Sequence, residues 1–142
     1  MTSIVNQERP IRIYCASPFH RASMWRNGTV VPPSIEIVST WHDHDYGLTE
    51  PTLTADDFAQ HWLTDLREIR QAHLVVAYAE NRDRPQGTLV EIGAALGQGK
   101  PVILVGNYTW SNWSHHPLVN HFLTFREAFA SIGVPEYDPT KN

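Results

Sequence analysis

Apolar runs alternating with amphipathic ones predict an α/β domain with a mostly parallel sheet and helices on both faces. Residues 74–78 and 101–106 are apolar almost throughout, the pattern of strands covered on both sides. A helical segment precedes each of them. Phe58, Trp62, Leu66 and Ile69 recur every three or four residues before the first, and a helix carrying Glu91 feeds the second.

The elements follow in order. Residues 11–17 form a β-rich first strand, entered after Pro10 and stopped by Pro18, with a polar loop or helix continuing to Gly28. Residues 35–40 alternate and are β-branched, which makes them the second strand. Residues 41–51, rich in His, Asp and Gly, read as a loop. Thr54 caps the next helix, with Asp56 and Asp57 in its first turn. Phe58, Trp62, Leu66 and Ile69 are its expected buried face. After a Pro/Gly loop over 81–87, Thr88 reads as the N-cap of the following helix, at capping-box spacing from Glu91. A Trp/Asn/His-rich loop follows residue 106, and residues 122–132 hold a short strand and a closing helix. With no repeat or low-complexity stretch, residues 1–142 read as a single domain with its core over about 11–132.

Composition narrows the function classes. Hydrophobic content of 42% and charged content of 18% fit a globular chain. A net charge of −4 argues against a nucleic-acid partner, which needs clustered Lys and Arg. No apolar run approaches the ~18 residues of a membrane span. The first ten residues lack the basic start and apolar core of a signal peptide, and Cys15 is the sole cysteine, so the expected setting is reducing and cytoplasmic.

Open parallel sheets bind ligands outside the carboxyl ends of their strands. Residues 14–17, 41–45, 78–87 and 106–113 fall there, as does the turn holding Glu91. A carboxylate at a helix N-terminus is favoured as an anion and can act as a nucleophile, although a capping box needs the same residue. Asp65 lies on or beside the apolar stripe of its helix, where an acid is costly unless paired or used. Tyr14 ends the first strand. Histidines at 42, 44, 115 and 116 have no metal-ligand spacing and no Cys partner, so no metal site is expected. Residues 17–23 lack the glycines of a phosphate cradle, which leaves Arg21 or Arg26 as the phosphate-binding options there.

The chain resembles the nucleoside 2-deoxyribosyltransferase superfamily, which includes the related 2'-deoxynucleoside 5'-phosphate N-hydrolases. The likeness rests on the Ile-Tyr-Cys-Ala-Ser strand end, on residues 64–72 before an apolar strand, on Gly87 to Gly93 with its Glu, and on Gly-Lys-Pro-Val at 99–102. It implies a flavodoxin/Rossmann-like three-layer sandwich. It also implies that Glu91 is the nucleophile attacking C1' of the sugar, that Asp65 assists proton transfer at the departing base, and that Tyr14 orients the nucleophile. Asn120 matches a polar residue lent by a neighbouring subunit, so a homodimer or larger assembly is expected. Transferases of the family carry a further acid before the nucleophile, for which Asp83 is the nearest match. They also place a C-terminal carboxylate in the neighbour's site, for which residues 139–142 offer no clear counterpart. The hydrolases hold the 5'-phosphate with serines and an arginine, roles open to Ser17 and Arg21. Trp41, Trp110 and Trp113 can stack on a base or pack the core.

The resemblance therefore implies cleavage of the N-glycosidic bond of a 2'-deoxynucleoside or its 5'-monophosphate through a covalent glycosyl-Glu91 intermediate. Transfer to another base is favoured slightly over transfer to water, and neither a metal nor an organic cofactor is needed. The alternative is a non-catalytic nucleotide-binding or sensing module on the same fold.

Overall fold

The computed structural model describes residues 9–26, 28–44 and 53–134. Residues 1–8, Asn27, residues 45–52 and residues 135–142 lie outside them. The expectations for the first ten residues, for most of the 41–51 loop with Asp45, and for the tail therefore fall wholly or largely outside the described residues.

Five parallel strands, β1 (Arg12–Ala16), β2 (Glu36–Ile37), β3 (Leu74–Tyr78), β4 (Val102–Val105) and β5 (Val119–Phe122), form one sheet in the order β2-β1-β3-β4-β5. The chain winds one way from β1 to β2 and the other way from β3 to β5. Right-handed crossovers then place α1 (Ala55–Gln71) and α2 (Gln86–Gly97) on one face. The opposite face receives a 3-10 helix (Phe19–Trp25) and α3 (Phe125–Ser131), whose Trp25 and Phe125 rings meet edge-on at 5.6 Å. This is the predicted three-layer sandwich, and its topology reverses between β1 and β3, where open sheets hold ligands.

Burial follows the reading of the central strands. Ile13 to Ala16, Val75 to Ala77 and Val102 to Val105 are enclosed, with Ile69, Ile92 and Phe129 sealing them from the helices. Lys100 ties two layers together. From the turn before β4 its Nζ donates to the carbonyls of Ile69 (2.9 Å), Arg70 and Ala72 (2.5 Å), satisfying the C-terminal end of α1. Gly106 ends β4 at φ 106°, and a Cβ there would stand 2.3 Å from the Ala79 carbonyl oxygen.

Three expectations are corrected. The second strand pairs only over Glu36–Ile37 rather than 35–40. The Ser39 side chain takes over from the backbone there, accepting from the Cys15 N–H at 3.0 Å. On α1 the capping box of Thr54 and Asp57 forms, yet Phe58 is 52% exposed. The expected apolar face is therefore buried only towards Leu66 and Ile69 and opens into a cavity at its N-terminal end. Thr88 is not a cap either. Helix α2 starts at Gln86 behind Pro85, leaving Thr88 inside the first turn and Glu91 in the second, so no capping box includes Glu91.

Candidate active site

Alternation along β1 turns Tyr14 towards α1 and α2. Its fully buried hydroxyl donates to the Glu91 carboxylate of α2, 77 residues away. Asp65 acts on the same hydroxyl from α1, so two carboxyl groups face one phenol; Tyr14 is the middle residue of β1 and not its end, as the sequence had suggested. Both carboxyls line a cavity of about 790 Å³. Aromatic rings of Phe19, Trp41, Phe58 and Trp62 share its wall.

Burial sets the protonation of the group. It pushes the Glu91 carboxyl up to about 8; the neighbouring Asp65 charge adds to this, and the Tyr14 hydrogen bond opposes it. Asp65 is pushed up to about 6, by burial first and then by Glu68, with His44 and Tyr14 opposing. Burial and both carboxylates push the Tyr14 hydroxyl upward, so it stays a donor. The expectation of an ionised Glu91 held by the helix dipole is thus corrected. The dipole acts within the first turn, Glu91 sits in the second, and desolvation outweighs it. Near neutral pH the two carboxyls share one proton and titrate as a pair.

The other expected site residues divide. Trp41, Asp83 and Gly87 line the cavity, and a Cβ on Gly87 would make ordinary contact with Trp62 at 3.7 Å. Trp41 is anchored by its indole N–H, which donates to the Cys15 carbonyl at 2.6 Å. Ser17 lines the cavity with its hydroxyl already engaged, donating to the Pro18 carbonyl and accepting from Trp25 Nε1 at 2.8 Å. Arg21 forms a two-pronged pair with Asp83, at 2.9 and 3.2 Å, lies 3.3 Å from Glu80, and sits over the Tyr78 ring. Burial works against the Asp83 charge, but Arg21 and the Glu80 N–H outweigh it and hold the carboxyl below its usual range. Asn120 is exposed on β5, opposite Ile103, and outside this cavity.

Arg82, Arg84 and Pro85 lie in the 78–87 segment expected at the crevice and line the cavity, as does Thr88, whereas His20 and His61 were not anticipated. His61 precedes Asp65 by one helical turn, a spacing that could have flagged it. The Thr88 hydroxyl is buried and has no hydrogen-bond partner among the described residues. His42, read as part of a solvated loop, is buried, with Nε2 3.0 Å from Ser39 Oγ; burial pushes its imidazole down despite the nearby Asp43.

A parallel sheet whose topology reverses beside an aromatic-walled cavity, with the buried Glu91 and half-buried Asp65 on its wall and the enclosed Tyr14 behind them, is a site that can supply acid–base chemistry. Residues 13–120 match the nucleoside 2-deoxyribosyltransferase family, and the chain belongs to it. Its class is therefore that of enzymes acting on the N-glycosidic bond, with nucleosides or nucleotides as substrates. No curated protein matches the chain by sequence.

Solved structures share the fold. A 2-deoxyribosyltransferase from the psychrotolerant bacterium Bacillus psychrosaccharolyticus superposes with a TM-score of 0.65 at 20% identity, covering 90% of this chain and 100% of that one. The CMP N-glycosidase BcmB of Clostridium botulinum gives 0.54 at 17% identity, covering 87% and 99%. A conserved protein from Enterococcus faecalis gives 0.52 at 17% identity, covering 91% and 80%.

Proposed function

We propose that the protein cleaves the N-glycosidic bond of a 2'-deoxynucleoside, or of its 5'-monophosphate, through a covalent glycosyl-Glu91 intermediate. The observation that carries this reading is the meeting of Glu91, Asp65 and the Tyr14 hydroxyl at one cavity wall. A Glu91 carboxylate oxygen attacks C1' as the C1'–N bond breaks. The bonding pair leaves with the base nitrogen, which takes the Asp65 proton. The glycosyl ester is then attacked at C1' by the nitrogen of another base or by water. The acceptor's proton returns to Asp65 and Glu91 is released.

The productive state has Asp65 protonated and Glu91 ionised, a minority arrangement of the shared proton that a developing oxocarbenium charge favours. Trp41 and the other wall aromatics suit a stacked base. Ser17 and Arg21 are committed to internal bonds, which favours a free nucleoside and retains the slight preference for transfer to a base. Asn120 is assigned to a second copy's sugar site, because it lies outside its own cavity.

Intact-protein mass after incubation with 2'-deoxynucleosides and their 5'-monophosphates, with free base followed by chromatography, tests the reading. A deoxyribosyl adduct and base release or exchange are expected, both lost in Glu91→Gln. Binding with no adduct, release or exchange would return the sensing-module alternative.

A further inference from the structure

We propose that Glu68 is a positioning residue for this reaction: it pins the segment that carries Trp41 to the cavity, and it sets a buried carboxylate one helical turn from Asp65. The inference rests on the reading of Asp65 and Glu91 as the reacting pair.

Glu68 lies three residues after Asp65, on the same side of α1, and is 6% exposed. It does not line the cavity. Its carboxylate accepts from the Thr40 backbone N–H at 3.0 Å and from the Thr40 hydroxyl at 2.7 Å. Thr40 directly precedes Trp41, which is held at its other end by the Cys15 carbonyl. Ser39, one residue earlier, takes the Cys15 N–H. With β2 only two residues long, these side-chain bonds replace the missing ladder and fix the approach of Trp41 to the cavity.

A neutral side chain of the same length could make both Thr40 bonds, so the bonds alone do not explain a carboxylate. Burying one is costly without a cation, and among the described residues no Lys or Arg pairs with Glu68. Its negative charge does act on Asp65, where it favours the protonated form. The other titratable and charged groups around Asp65 are Tyr14 from β1, Glu91 from α2, His44 beyond β2, His61 on α1, and Arg82 and Arg84 at the cavity rim. His44 and Tyr14 work against Glu68, and burial works with it.

Two variants separate the two roles. Glu68→Gln keeps an acceptor for the Thr40 N–H and a donor for its hydroxyl, but removes the charge. The acid limb of kcat/KM against pH is expected to move to lower pH by roughly half a unit or more. The maximum is expected to fall about threefold for each half unit, because fewer molecules hold the proton on Asp65 with Glu91 ionised. KM should stay within about twofold of wild type. Thr40→Val keeps the charge and loosens the clamp, so KM should rise several-fold with the acid limb unmoved.

Carboxyl-carbon NMR of Asp65 in wild type and Glu68→Gln reads the charge effect without substrate, and a lower titration midpoint is expected in the variant. An unchanged midpoint would sink the electrostatic role, and an unchanged KM in Thr40→Val would sink the clamp. Either result can occur while the Glu91 adduct still forms. Absence of that adduct, with Asp65 responding as expected, would overturn the reaction reading instead.

Discussion

The phenol of Tyr14 makes one hydrogen bond to Glu91 and faces Asp65 as well, and the pH behaviour of the protein follows from that small group. With Asp65 near 6 and Glu91 near 8, the singly protonated pair predominates between those values. The expected kcat/KM profile is a bell with limbs near 6 and 8, and a profile flat across both would remove the pair from the rate law. Stability must carry the same signature. Glu91 ordinarily titrates near 4.5 and is raised to about 8 in the folded state, so between these values the folded chain binds more protons than the unfolded one. Stability contributed by protonated Glu91 is therefore complete at low pH and declines as pH rises from about 4.5 towards 8. Asp65 acts in the same sense between 3.8 and about 6. Thermal melts should show wild type losing Tm over this range and Glu91→Gln showing a shallower loss. A wild-type slope equal to that of Glu91→Gln would mean that the carboxyl is not shifted. Tyr14, Asp65 and Glu91 stood out in the sequence as a strand-end tyrosine, a stripe acid and a helix acid. Glu68 did not, because an acid in a helix rich in charge looks solvated until Thr40 is seen folded against it.

At the scale of elements, α1 is held at both ends by side chains. Thr54 and Asp57 close its first turn, and that capping box was legible because it is local. The Lys100 ammonium at the other end comes from 30 residues away. Lys100→Met should leave the carbonyls of Ile69, Arg70 and Ala72 short of a donor, at a cost of about 1 kcal/mol. That corresponds to a Tm lowered by roughly 3–6 °C, and an unchanged melt would show that water replaces the lysine at no cost. The Gly-Lys-Pro run thus has a structural role here beyond its family resemblance. The start of α2 was misread for a related reason. Thr88 and Glu91 have capping-box spacing, but Pro85 lets the helix begin earlier, and Glu91 turns to Tyr14 instead of back to the chain. Beyond Val38, whose N–H still reaches the Ile13 carbonyl, residues 39–40 likewise exchange strand pairing for bonds made by the Ser39 and Glu68 side chains.

Over the whole molecule, the sheet order decides where the cavity lies. It opens where β1 and β3 part company with their helices, and α1 overhangs it from one side. Besides Phe58 at the cavity, α1 and α2 keep Leu63 (58% exposed), Leu89 (40%) and Val90 (54%) in water, large apolar groups that a partner surface could cover. Sedimentation analysis is expected to find a homodimer or larger assembly, weakened by Leu63→Glu or Val90→Glu. Asn120→Ala should reduce activity in that assembly, and full activity of a monomer at assay concentration would remove both expectations.

The alternation of apolar and amphipathic runs and the buried character of residues 74–78 and 101–106 are properties of neighbouring residues, so the sequence by itself determined the fold class and marked Asp65 and Glu91 as acids to explain, while the roles proposed for them and for Tyr14 came from the family resemblance. Which groups meet is a property of strand order. Only the tertiary structure joined Tyr14 to Glu91 across 77 residues and paired Arg21 with Asp83. It alone raised Glu91 and Asp65 out of the ordinary carboxyl range, because desolvation is set by the layers that close over a side chain.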